Sequence, residues 1–400
     1  MIRLENDSVE QVVVMDGWME KKETKRDTGK DMTIKVSPME SNSIFATSNT
    51  ISSSQNIPEF MQHTDVDVSK VIYVGENILW LGKRRGRCIS MWKRDPLENI
   101  DPFKILTTKE VDVDPNDVCL IGKNSACVGF TDGSLAVLNT EMDDLALVKR
   151  FPSVHDGCES RKVVSYEDGK VLSASTNGSL ELVDIETGTS TTVFTGQSGI
   201  RSLCTTFGGQ LVATVLEPIT MLVPSEKALD SITALCSHPA QSNLVCFGTN
   251  YGIVGLIDVR NGKNAAVSST YLVTEKSITQ VMFHPTCSDN LLCSSTDGSI
   301  LRLDASSVPM TSQTRTVKEN VWLTGDLANQ LRGEPIRRSS IFPISSFDCR
   351  GDSIVASSST GFISSYEHLP FFPSSSKQVP PAPTNDPFLI PSSIDPFRNT

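Results

Sequence analysis

Ile232-Thr233-Ala234-Leu235-Cys236-Ser237-His238-Pro239, continued by Leu244-Val245-Cys246-Phe247-Gly248, Asn250-Tyr251-Gly252 and Leu256-Ile257-Asp258-Val259-Arg260, is written a second time 46 residues later. The second copy reads Ile278-Thr279-Gln280-Val281-Met282-Phe283-His284-Pro285, then Leu291-Leu292-Cys293-Ser294-Ser295, Asp297-Gly298-Ser299 and Leu301-Arg302-Leu303-Asp304. Ile232 and Ile278, His238 and His284, Gly252 and Gly298, Asp258 and Asp304 hold this spacing without a gap. Each copy is a set of short apolar β-type runs separated by turn residues, so the repeated unit is a small antiparallel sheet.

Weaker copies flank the pair. Ile78-Leu79-Trp80-Leu81 precedes Ile89-Ser90-Met91-Trp92; Cys127-Val128-Gly129-Phe130 meets Leu135-Ala136-Val137-Leu138 across Thr131-Asp132-Gly133-Ser134; Val171-Leu172-Ser173-Ala174-Ser175 meets Leu180-Glu181-Leu182-Val183 across Thr176-Asn177-Gly178-Ser179. Asp-Gly and Asn-Gly between apolar runs predict tight hairpins with positive φ. A degenerate unit at 200–226 carries Glu217-Pro218 in place of the glycine turn, and a last unit closes at Phe362-Ile363-Ser364-Ser365-Tyr366. Seven units between residues 68 and 368, about 43 residues each, predict an all-β, seven-bladed WD-repeat β-propeller, because stacking sheets radially buries both faces of each. The small residues of the middle runs (Ser173-Ala174-Ser175, Ser294-Ser295, Ala356-Ser357-Ser358) suit strands crowded toward the axis.

The remaining segments depart from the repeat. Residues 1–67 are poorly patterned and are expected to be mostly loose; a β-type run there, at Val12-Val13-Val14, Thr33-Ile34-Lys35-Val36 or Val66-Asp67-Val68, is the expected donor of the strand that closes the ring. An insertion over 307–343 spaces Leu323, Leu327 and Leu331 at i, i+4, i+8 with Gly333 after them, which predicts one short amphipathic helix. The Pro- and Ser-rich tail over 369–400 is expected to be disordered.

Bulk chemistry narrows the function. A formal net charge of -11 over 400 residues argues against a general nucleic-acid or anionic-membrane binder. No apolar run approaches the ~18 residues of a membrane span, and the charged N-terminus is not a secretory signal. Ten cysteines, scattered singly inside apolar strands, read as reduced thiols of an intracellular protein. Among five histidines, His63, His155 and His368 have no Cys or carboxylate at metal-ligand spacing, His284-Pro285-Thr286-Cys287 is a lone pairing, and His238 and His284 share a repeat position, so architecture explains them. No nucleophile elbow, phosphate loop or zinc-protease signature occurs. The expectation is therefore a non-enzyme with no cofactor, metal or small-molecule substrate. Residues with partner-contact potential are Arg84 and Arg85 in the run Lys83-Arg84-Arg85-Gly86-Arg87, together with Trp322, Leu323, Leu327 and Leu331 in the insertion.

The chain resembles the small WD-repeat nucleoporins of the Y-shaped scaffold complex of the nuclear pore. The residues that carry this are Leu79-Trp80-Leu81-Gly82 with Ile89-Ser90-Met91-Trp92, the two His-Pro units with Ile257-Asp258-Val259-Arg260 and Asp297-Gly298-Ser299, Asp304-Ala305-Ser306, and Val321-Trp322-Leu323-Thr324-Gly325-Asp326. The resemblance implies a non-catalytic scaffold subunit at the nuclear envelope, bound to other nucleoporins on the short arm of the Y complex, with a kinetochore role in mitosis. Two alternatives come from other motifs. Ile257-Asp258-Val259-Arg260 is similar to the Trp-Asp-x-Arg docking motif of cullin-ligase substrate receptors, and Asp386-Pro387-Phe388 with Asp395-Pro396-Phe397 resemble peptides bound by endocytic adaptors.

Overall fold

A computed structural model describes residues 12–15, 34–35, 58, 60–94, 103–141, 145–206, 211–215, 219–223, 226–260, 266–306, 322 and 331–371. Among the described residues there are six four-stranded antiparallel sheets. Five of them are continuous in sequence: blade 1 at 67–110, blade 2 at 115–151, blade 3 at 160–195, blade 5 at 232–272 and blade 6 at 278–337. Blade 7 takes three strands from 344–366 and its fourth, outermost strand from Phe60–His63, which pairs antiparallel with Phe362–Tyr366. The closing strand is thus N-terminal, but none of the three runs named from the sequence supplies it. Asp67 and Val68 instead open the first strand of blade 1.

The fourth position is divided. Ile200–Thr205 and Leu211–Val215 form an antiparallel pair, to which Val12–Met15 adds in parallel; Ile219–Val223 and Glu226–Asp230 form another, to which Ile34–Lys35 adds in parallel. Even so, Ile200–Thr205 packs between the first strands of blades 3 and 5, and the first strands of all seven positions contact their neighbours around a closed ring.

A β-bulge marks the same place in every one of those first strands. The pairing with the second strand skips Ser69, Asn116, Arg161, Arg201, Thr233, Thr279 and Ser345 in turn. A bulge leaves its extra residue unpaired and twists the strand. Here it frees side chains to bridge blades: Ser69 Oγ donates to Pro115 O (3.2 Å), Thr233 Oγ1 to Ile278 O (2.6 Å) and Ser345 Oγ to Val68 O (2.7 Å).

The small residues of the middle runs lie in the second strands and not nearest the axis. They are small because the next blade's first strand presses on them: a Cβ at Gly248 would sit 2.4 Å from Ile278 Cγ2. The turns also differ from the simplest expectation. Gly133, Gly178, Gly252, Gly298 and Gly361 have positive φ, but Asp132, Asn177 and Asp297, which precede three of them, do not. Gly133 N donates to Phe130 O and Phe130 N to Ser134 O, a three-residue loop ending in a left-handed glycine. Asp132, Asn177 and Asp297 each accept the backbone N–H two residues on.

Apolar clusters fill the spaces between blades, with Phe247, Leu256, Ile278, Phe283 and Leu303 among the buried side chains. The insertion joins this core. Arg332–Arg337 is the outermost strand of blade 6, so Gly333 pairs with Leu303 and does not cap a helix. Leu323 and Leu327 lie outside the described residues, as do most of the N-terminal segment and all residues after 371. The packed chain runs beyond residue 368: Leu369 and Phe371 are buried, and the Phe371 ring lies tilted against His284 at 4.6 Å.

Candidate interaction site

The second-to-third-strand turns lie at the end of the ring where the first strands begin, since Lys83 pairs with Asp67. The basic run therefore sits on this face, in a turn over Arg84–Gly86. Its charge is largely committed. Arg84 (φ 62°) meets Asp67 at 3.0 Å, Arg87 meets Asp114 at 2.9 Å, and Lys83 Nζ donates to Asn116. The Arg85 side chain lies outside what is described. Exposed ion pairs of this kind contribute little to stability and leave little net charge for a partner.

Two sequence-nominated contacts turn out to be core. Trp322 is fully buried, donates its indole N–H to Ser288 O at 2.9 Å and meets the Phe283 ring edge-on at 5.6 Å. Leu331 is buried in the same cluster. Neither is available to a partner; their apolar character follows from their place in the cluster shared by blades 5 and 6.

Toward the axis, polar side chains bridge the first strands. Asp117 accepts Val163 N at 3.0 Å and faces Lys162 at 3.0 Å and Lys70 at 4.0 Å; Gln280 accepts from Lys70 Nζ at 3.1 Å and donates to Phe347 O at 2.7 Å. Burial, with the like charge of Lys162, lowers the Lys70 pKa to about 8, against Asp117 and Asp348. On the same face stand residues that single-sequence reading passed over: Arg161 and Arg201 at adjacent bulge positions, and Tyr251, half exposed in the blade 5 turn. Arginine and tyrosine are the residue types that dominate protein interfaces. Their signal was the departure from Ser, Thr and Asn at equivalent positions, which needs the register to be seen.

A cleft of about 710 Å³ lies between the closing strand and blade 1, lined by His63, Trp80, Arg87, Trp92 and Ile105. The indole N–H groups of Trp80 and Trp92 find no acceptor among the described residues.

The histidines act as structural ties. His238 and His284 accept backbone N–H groups of their own loops at Nδ1, and His284 Nε2 reaches Gly351 O of the next blade at 2.7 Å. His155 is buried between Ser173 and Ser179, at 2.7 and 2.8 Å. Among the described residues no group of three or more His, Cys, Asp or Glu could hold a metal.

Burial lowers the His155 pKa from its ordinary 6.5 to about 4. Its contribution to stability is complete above pH 6.5. Below that the unfolded chain takes up a proton that the folded chain refuses until about pH 4, so stability falls with pH across this window. Between pH 7 and pH 5 the loss is about 2 kcal/mol from this residue. Urea denaturation at the two pH values should show that difference shrinking in His155→Asn.

No family model matches the sequence, and no curated protein does. Among solved structures, the chain is similar to one in the crystal structure of the mitotic checkpoint complex, with 13% identity and a TM-score of 0.59 over 78% of this chain and 95% of that one. It is also similar to the WD40 β-propeller domain of Doa1, with 15% identity and a TM-score of 0.56 over 78% of this chain and 97% of that one. At such identities the likeness speaks to fold alone, and the fold is that of a WD40 β-propeller.

Proposed function

We propose that the chain is a non-catalytic protein-interaction propeller, and that it serves as a scaffold subunit of the Y-shaped nuclear pore subcomplex. It attaches to the short arm of that complex at the nuclear envelope and acts at the kinetochore in mitosis. The observation that carries this reading is the resemblance of Val321–Asp326 and of the two His-Pro units to the small WD-repeat nucleoporins. The burial of Trp322 and the ties made by both histidines explain why a scaffold of this type would keep those residues. The cullin-ligase alternative has less support: Ile257 and Val259 are buried, and the Arg260 guanidinium lies on Asp258 (2.8 Å).

A fluorescent tag on the endogenous protein is expected to mark the nuclear rim, with nucleoporins recovered on affinity purification. Removal of residues 372–400 should leave the rim signal intact, whereas the endocytic alternative requires its loss. A diffuse cytoplasmic signal, or recovery of ligase adaptors without nucleoporins, would sink the pore reading.

A further inference from the structure

We propose that Arg161 and Arg201 form an anion-recognition subsite at the mouth of the ring, which takes carboxylate side chains from an acidic segment of a protein partner. This deepens the interaction reading and rests on it, though not on the pore assignment.

The argument begins with the sevenfold comparison. At the bulge position five blades carry Ser69, Asn116, Thr233, Thr279 and Ser345, each satisfied by hydrogen bonds to the protein itself. Four of these reach a carbonyl of the next blade. Blades 3 and 4 depart from the rule, and they are neighbours. A guanidinium is too long to make the short bridge that a hydroxyl makes here, and the side chain of Arg161 bridges no carbonyl of blade 4 among the described residues. The boundary between blades 4 and 5 keeps a substitute, Ser202 Oγ accepting Leu235 N at 3.1 Å.

Two arginines at neighbouring bulge positions, close enough to feel each other's charge, cost stability through like-charge repulsion unless something negative joins them. The protein supplies this only in part. Arg161 meets Glu159 at 3.9 Å, while the other carboxylate oxygen of Glu159 accepts from Asn116 at 2.7 Å. Arg201 is partly buried and makes no hydrogen bond or ion pair among the described residues. Burial first and the charge of Arg161 second lower its pKa, with Asp230 opposing. Asp230 itself is held by Ser231 N at 2.7 Å and by backbone groups of the Asn250-Tyr251 turn, so the turn that carries the half-exposed Tyr251 closes on the carboxylate that faces Arg201.

These features select the ligand. Guanidiniums match carboxylates in planar, two-bonded geometry, and the half-exposed Tyr251 of the blade 5 turn on the same face offers apolar contact to a peptide chain. Glu159, Asp230 and Asp114 border the site, and the chain carries a net charge of -11, so a long polyphosphate such as nucleic acid is repelled where a short acidic stretch is accommodated.

The test is fluorescence anisotropy of a labelled hexaglutamate peptide titrated with the full chain at low and moderate salt. Wild-type protein is expected to bind in a salt-dependent manner. Arg161→Ser with Arg201→Thr, which installs the residue types of the other blades, is expected to weaken binding at least tenfold while the melting temperature holds or rises. Arg201→Gln alone keeps the side-chain stem and should weaken binding at least fivefold; Arg84→Ala, whose charge is committed to Asp67, should bind as wild type. Absence of wild-type binding, or binding by the double variant within twofold of wild type, overturns the proposal. Either result in a protein that still marks the nuclear rim leaves the pore reading standing, and loss of the rim with peptide binding intact overturns only the latter.

Discussion

A chain that lacks only residues 60–65, and so keeps Val12–Met15 and Ile34–Lys35, is expected to lose about 5 kcal/mol or more of stability. The strand pairs with Phe362–Tyr366 through four residues, Thr64 donates to Gly361 O from both its backbone and its hydroxyl, and the partly buried Phe60 ring packs edge-on against Phe103 at 6.4 Å. The Arg94 guanidinium lies over Phe60 at 5.0 Å, so its cation–π contact disappears as well. Removal also bares the edge of Phe362–Tyr366, a row of unpaired backbone groups that templates association. The shortened chain should therefore melt roughly 10 °C or more below the full chain and elute as oligomers on size exclusion. An unchanged melting temperature would mean that the ring does not depend on this strand.

Trp322→Ala is the second large effect, with an expected loss of about 3–5 kcal/mol. The side chain packs edge-on against Phe283, in a cluster with Leu256, Leu291, Leu303 and Leu331. Truncation leaves a cavity and removes the donor from Ser288 O. Trp322→Phe should recover part of the loss, since it refills volume without restoring the hydrogen bond. Urea denaturation measures both. A cost below 1 kcal/mol for Trp322→Ala, combined with lost partner binding, would return this residue to the surface role that its sequence context suggested.

The pair of His-Pro units made most of the fold legible because each blade is a local object. Its strands, its glycine turn and its spacing are encoded within about 43 residues, and the exact 46-residue register of Ile232 with Ile278 carried the count outward to weaker copies. The fourth unit shows the limit. It was recognisable as degenerate, yet the parallel addition of Val12–Met15 and Ile34–Lys35 joins residues some 190 positions apart, and nothing in either run announces the other. The same holds for the closing strand, since Phe60-Met61-Gln62-His63 has no stronger β pattern than the runs around it.

For the candidate site the division is sharper. Arg84 and Arg85 stood out as a charge run, but a run states only which charges are present. Asp67 and Asp114, 17 and 30 residues from Arg84, decide how much of that charge is left over. Leu323, Leu327 and Leu331 looked like one face of a helix because of their i, i+4, i+8 spacing, but Leu331 is a core residue that leads directly into the outer strand of blade 6, while Leu323 and Leu327 lie outside the described residues.

By itself, then, the sequence determined the repeated sheet, the number of positions in the ring and the structural character of His238 and His284, all consequences of short-range periodicity. Only the tertiary structure decided which side chains bridge blades, that Trp322 and Leu331 are core, and that Arg161 and Arg201 stand where other blades carry Ser, Thr or Asn. Those outcomes depend on contacts across blade boundaries, where the partner lies a whole repeat or more away and the local pattern carries no record of it.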